Sequence, residues 1–150
     1  MPRVRRTADV TWEGNVARGH GAISARSGAF EAFPFSLASR ISQAEGTTSP
    51  EELLAAAHAG CYAMSLSNEL TQAGSPPERL SVTATCTLDE VEGEGHRIVA
   101  MELEARGSVP GMDAEAFRRS AQAADESCTL SHLVRASADV NVRAELEEAS

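Results

Sequence analysis

Lysine is absent from this chain: all 13 basic residues are arginine. That excludes Schiff-base chemistry on a lysine amine and leaves the guanidinium as the only permanent side-chain cation. Positive charge is scarce as well, because 22 acidic residues face those 13 and the formal charge is -9. Such a balance repels phosphate backbones and anionic headgroups, so neither a nucleic acid nor a membrane surface is expected as a partner. Long hydrophobic runs are also missing, and no window approaches the roughly 20 apolar residues of a membrane span. Arg3, Arg5 and Arg6 near the start are not followed by the apolar stretch of a secretory signal. A cytoplasmic protein is expected.

Cysteine is sparse: Cys61, Cys86 and Cys128 are too few and too scattered for a disulfide scaffold. In a reducing compartment each is either packing or chemistry. The length of 150 residues and the 42% hydrophobic content suit one compact core, so a single domain over residues 1–150 is expected.

What the chain does contain is clear patterning. Short β-like stretches at 8–12, 21–25 and 29–37 are separated by Gly14, Gly19, Gly21 and Gly28, which predicts a small antiparallel sheet. The segment from Gln43 then leads into a marked helix start, with Ser49 as N-cap, Pro50 at the first helical position and Glu52 placed to complete a capping box. Gly74, before Pro76 and Pro77, is the predicted stop. Between Leu53 and Leu66 no formal charge interrupts this helix, so it is expected to be buried on every side. At about 1.5 Å per residue it is longer than a chain of this size covers alone, which points to a second subunit packing on it.

Two alternating strands follow. In the first, Val82, Ala84, Cys86 and Leu88 share one face; in the second, Val99, Met101, Leu103 and Ala105 do, with Glu92-Gly-Glu-Gly-His as the hairpin connection. Asp113 is placed to cap a second helix with an apolar stripe of Ala114, Phe117, Ala121 and Ala124. That helix ends near Cys128, ahead of a turn-like Thr-Leu-Ser-His, and a last strand alternates from Ala138 to Leu146. The order of strands and helices is that of an α+β fold, with no internal repeat.

Cys86 sits in an inward slot of a strand, which packing alone explains. Cys61 has polar company on an apolar helix, with His58 one turn before it. Glu51 precedes Cys61 by ten positions, roughly 15 Å along a helix axis, so a coupling between them needs an intermediary. A guanidinium can bridge a carboxylate and a thiolate, and Arg40 is the nearest in sequence. Taken singly, Glu51 also reads as a helix-dipole charge and Arg40 as a loop residue. The pairs His58/Cys61 and Cys128/His132 are in addition the ligand types of a closed structural zinc site. No nucleophile elbow or Ser/His/Asp signature suggests a hydrolase.

The run TSPEELLAAAHAGCYAMSL at 48–66 resembles the signature helix of the OsmC/Ohr hydroperoxide reductases. The likeness extends to WEG at 12–14, FPFSLASR at 33–40, VPGMD at 109–113 and SCTLS at 127–131, and it leans to the OsmC branch. The resemblance implies an OsmC-like fold, with antiparallel sheets around a long buried central helix plus a second helix, in an intertwined homodimer. It implies a thiol-dependent peroxidase for organic hydroperoxides, and less readily hydrogen peroxide, with no bound metal, flavin or haem and a dithiol reductant such as dihydrolipoamide. By the same resemblance Cys61 is the peroxidatic cysteine, Cys128 the resolving cysteine, Arg40 the activating arginine and Glu51 the carboxylate that orients it. The chain departs from the family in carrying Thr129 where proline commonly follows the second cysteine. Arg18 lies near the place from which the Ohr branch draws its arginine. A non-catalytic member binding a small apolar ligand in the same cleft is the reading of a different class.

Overall fold

The computed structural model describes residues 2–42 and 44–148. Gln43, at the head of the segment leading into the central helix, lies outside the described residues. The chain divides into two compact units that meet in sequence between Leu53 and Leu54.

In the first unit, β1 (Ala8–Glu13), β2 (His20–Ala25) and β3 (Phe33–Phe35) form the expected antiparallel sheet in that order. Gly21 lies opposite Phe35, and a Cβ there would fall 2.5 Å from the Phe35 ring. Glycine is therefore the residue that lets this aromatic lie across the sheet beside Trp12, with ring centroids 5.5 Å apart. The strand expected over 29–37 shrinks to Phe33–Phe35. Gly28 and Ala32 turn the chain at positive φ before it, and Ser36 ends it by capping α1 (Leu37–Ile41) in a reciprocal box with Ser39. Arg40, which taken singly also reads as a loop residue, therefore stands on a short helix.

α2 (Pro50–Gln72) starts where expected, but its cap is built differently. Ser49 Oγ accepts from the Glu52 backbone N–H at 3.1 Å, whereas the Glu52 carboxylate accepts from the Thr48 hydroxyl at 2.8 Å. Thr48, whose N–H is tied to the Pro34 carbonyl, competes successfully for the carboxylate that would have closed the box. At the other end Gly74, at φ +88°, makes a Schellman stop: its N–H bonds the Thr71 carbonyl and the Ser75 N–H bonds that of Leu70.

In the second unit β4 (Arg79–Val91) and β5 (Gly95–Ser108) form the expected hairpin, with a bulge opposite Thr87 and Leu88 that leaves Val99 as the extra residue. β6 (Asp139–Leu146) pairs parallel to β5, so this sheet is mixed rather than wholly antiparallel. A parallel partner needs a crossover, and α3 (Ala114–Ser127) with α4 (Thr129–Arg135) supplies it. Asp113 caps α3 as expected, accepting from the Ala116 N–H at 2.7 Å. The buried stripe of α3 is Phe117, Ser120, Ala121 and Ala124; Ala114, in the exposed first turn, is not part of it. The turn expected after Cys128 is instead α4, whose Leu130 and Val134, four apart, face inward.

α2 contributes Tyr62, Leu66 and Leu70 to the core of this unit, against Leu103, Ala105, Phe117 and Ala121. With Ala55 and His58 they make one buried face at helical spacing. Burial of α2 is thus one-sided within a single chain: Ala56, Ala57 and Gly60 are exposed, and Met64 is 77% exposed. No helix among the described residues is long and apolar enough to cross a membrane. Phe117 is the largest core side chain of α3 and its ring presses on Gly107 of β5, where a Cβ would come within 2.8 Å. Phe117→Ala is expected to cost about 3–5 kcal/mol, read as a lower urea midpoint at unchanged slope.

Candidate active site

The break between α3 and α4 consists of one residue. Cys128 closes α3 and opens α4 with extended backbone angles, φ -75° and ψ 117°. That single non-helical residue turns the chain sharply and leaves the Cys128 side chain fully buried. From α2, Cys61 presents its sulfur at the same point. The Cys128 thiol donates to Cys61 Sγ at 3.3 Å, so two residues 67 positions apart meet in van der Waals contact. A disulfide would bring the two sulfurs to about 2.05 Å.

The surroundings treat the two sulfurs oppositely. Burial pushes the Cys61 thiol up, but hydrogen bonds from the Thr129 hydroxyl, the Leu130 N–H, the Cys128 thiol and the Thr129 N–H together outweigh it, and its pKa lies below that of an ordinary cysteine. The Thr129 Oγ1 stands 3.4 Å from Cys61 Sγ. Burial also pushes Cys128 up; donors from Ser131 oppose that, the proximity of Cys61 adds to it, and the balance lies above the ordinary value. Partly exposed Cys61 is therefore the readier thiolate, and enclosed Cys128 the protonated donor.

His58 is fully buried one turn before Cys61, its Nε2 2.9 Å from the Ser131 hydroxyl and its Nδ1 without a partner. Burial lowers its pKa, the Asp125 carboxylate works against that and the Arg135 charge with it, and the balance favours the neutral ring. Asp125 and Arg135 are themselves paired at 2.6 Å. Tyr62, whose hydroxyl donates to the Ala121 carbonyl at 2.8 Å, is raised by burial and by the neighbouring Asp125 and Cys128 charges.

In the first unit Arg40 and Glu51 meet. Arg40 Nε lies 2.8 Å and one terminal nitrogen 2.7 Å from the same oxygen, Glu51 Oε1. Glu51 is 8% exposed and its Oε2 has no partner, while the Arg40 side chain is half exposed. Arg18 lies in the β1–β2 turn, where its backbone N–H bonds the Asn15 side chain. The zinc arrangement is not assembled: among the described residues no group of three or more His, Cys, Asp or Glu could hold a metal. His132 Nε2 instead meets the Glu126 carbonyl at 2.6 Å and His58 faces Ser131. Cys86 packs from β4 beside Ala84, Met101 and Val134, as its strand slot predicts.

Thr129 and Ser131 escaped assignment from sequence, where they read as turn residues. The four-residue spacing of Leu130 and Val134 was the available signal that both stand on a helix.

A family model described as OsmC-like protein matches residues 43–143. The chain is 36% identical over 133 residues to the peroxiredoxin OsmC of Escherichia coli K12, a match that covers 89% of this chain and 92% of that one. Among solved structures it resembles the organic hydroperoxide resistance protein OhrB of Bacillus subtilis, with TM-score 0.72, 26% identity, and 93% and 98% of the two chains covered. An OsmC-like protein of unknown function from Vibrio cholerae shares the fold at TM-score 0.77, with 14% identity over 95% of this chain and all of that one. The α+β architecture agrees with theirs. This chain therefore belongs to the OsmC-like family.

The opposed environments of the two sulfurs have a direct readout. Brief iodoacetamide treatment of the reduced protein at neutral pH is expected to label Cys61 at least about tenfold faster than Cys128, as peptide mass spectrometry would measure.

Proposed function

We propose that this chain reduces organic hydroperoxides, and hydrogen peroxide less well, through a two-cysteine cycle on Cys61 and Cys128. It is a cysteine-based peroxidase of the OsmC-like family, consistent with its 36% identity to a peroxiredoxin. The observation that carries the cycle is the 3.3 Å contact between the two sulfurs.

In this cycle the Cys61 thiolate attacks one peroxide oxygen, the O–O bond breaks, and the leaving alkoxide takes a proton and departs as the alcohol. Cys61 is left as a sulfenic acid. Cys128 attacks that sulfur, its proton leaves with the hydroxyl as water, and the Cys61–Cys128 disulfide forms before a second peroxide reaches Cys61. A dithiol of the dihydrolipoamide kind reopens the bond and is itself oxidised to a disulfide.

Arg40 supplies the permanent positive charge that favours the thiolate, and Glu51 holds the guanidinium in orientation. The support for this is their own pairing through a nearly buried carboxylate, which gives an arginine in a lysine-free chain a defined posture. The whole chain works as one OsmC-like domain in the cytoplasm, where such thiols stay reduced between turnovers. It works as a homodimer, a reading supported by the uncharged face of α2 around Ala56, Ala57, Gly60 and Met64 that a single chain leaves open.

Consumption of cumene hydroperoxide with dihydrolipoamide tests the reading. Cys61→Ser is expected to fall to background and Cys86→Ser to match the unaltered chain. Cys128→Ser should complete one turnover and then accumulate sulfinic acid at Cys61. Arg40→Ala should slow turnover by on the order of 100-fold. Equal, negligible activity in the unaltered chain and all these variants would overturn the peroxidase reading in favour of a non-catalytic ligand-binding member.

A further inference from the structure

Resting on the proposed two-cysteine cycle, we propose that Thr129 is a further catalytic residue: its hydroxyl donates to the Cys61 sulfur and favours the thiolate there. Three observations converge on it.

Thr129 is the first residue of α4 and directly follows Cys128, whose side chain makes no cap bond, so its side chain stands at the junction where the two sulfurs meet. A thiolate there accepts a hydroxyl hydrogen bond without having to donate in return.

The second observation is the position of the hydroxyl. Oγ1 stands 3.4 Å from Cys61 Sγ, and a β-branched side chain has few χ1 choices with which to leave it. The third is selectivity within the pair. Thr129 follows Cys128 directly in the chain, yet its hydroxyl serves Cys61, while Cys128 is itself a donor to Cys61. The α4 start therefore carries the protonated resolving thiol and the donor that keeps the other sulfur ionised.

Of the titratable groups at this junction, Cys128 touches Cys61 and His58 lies one turn before it on α2; Asp125 on α3 and Arg135 on α4 act on His58, and Asp125 and Cys128 act on Tyr62. All of them are kept when Thr129 alone is replaced. Thr129 is exposed, so replacements there leave the core of the unit untouched.

The test is the pH profile of Cys61 alkylation by iodoacetamide in the full-length reduced protein, read peptide by peptide. Thr129→Val keeps shape, branching and backbone N–H but removes the hydroxyl, and should move the inflection up by roughly one unit. Thr129→Ser should restore it, and Thr129→Pro, which suits a first helical position but removes hydroxyl and N–H together, should move it further than valine does. Superposable profiles for the unaltered, Val and Ser proteins would overturn the proposal, as would equal shifts for Val and Ser. Because alkylation needs no peroxide, the outcome separates cleanly from the turnover of Cys61→Ser, on which the peroxidase reading stands or falls.

Discussion

The two sulfurs meet because the chain breaks helix for one residue at Cys128. Were that residue helical, α3 and α4 would run on as one rod and its thiol would follow the helix surface rather than enter the core beside α2. The break is held from both sides. Phe117, Ala121 and Ala124 anchor α3 in the same core as Tyr62 and Leu66 of α2, and Val134 anchors α4 against Ala55 and Met101. The parallel pairing of β6 with β5 then follows from where this crossover delivers the chain.

Around that junction, burial and hydrogen bonding act on the two thiols with different results. Desolvation opposes ionisation at both, and it is the largest single influence on each. At Cys61 donors from the start of α4, the Thr129 hydroxyl among them, outweigh it. Cys128 lies deeper and gains less. Contact distance makes a bond between the sulfurs feasible, but the unequal provision of donors gives the pair a direction.

The first unit shows how a charged pair is readied without a full fork. Arg40 directs Nε and a terminal nitrogen to one oxygen of Glu51, whose place in the first turn of α2 suits a carboxylate through the helix dipole. The other oxygen is buried and unpartnered, so the carboxylate is held but not exhausted. Ser39, one residue before Arg40, donates to the Thr48 carbonyl at 2.7 Å and ties α1 to the residue ahead of the α2 cap.

Sequence alone determined what depends on local periodicity and on residue chemistry. Alternation made β4 and β5 and the inward slot of Cys86 legible, Ser49, Pro50 and Gly74 marked the limits of α2, and the run at 48–66 with the segments around it pointed to the family and to Cys61, Cys128, Arg40 and Glu51. These signals are readable because hydrophobic period, capping and glycine conformation act over a few residues. Tertiary structure decided the rest. It replaced the turn after Cys128 with α4, turned β6 parallel, passed the Glu52 carboxylate to Thr48, left one face of α2 open in the single chain, and set Thr129 against Cys61. Each of these is a competition between partners distant in the chain, and which one wins depends on packing that no local pattern encodes.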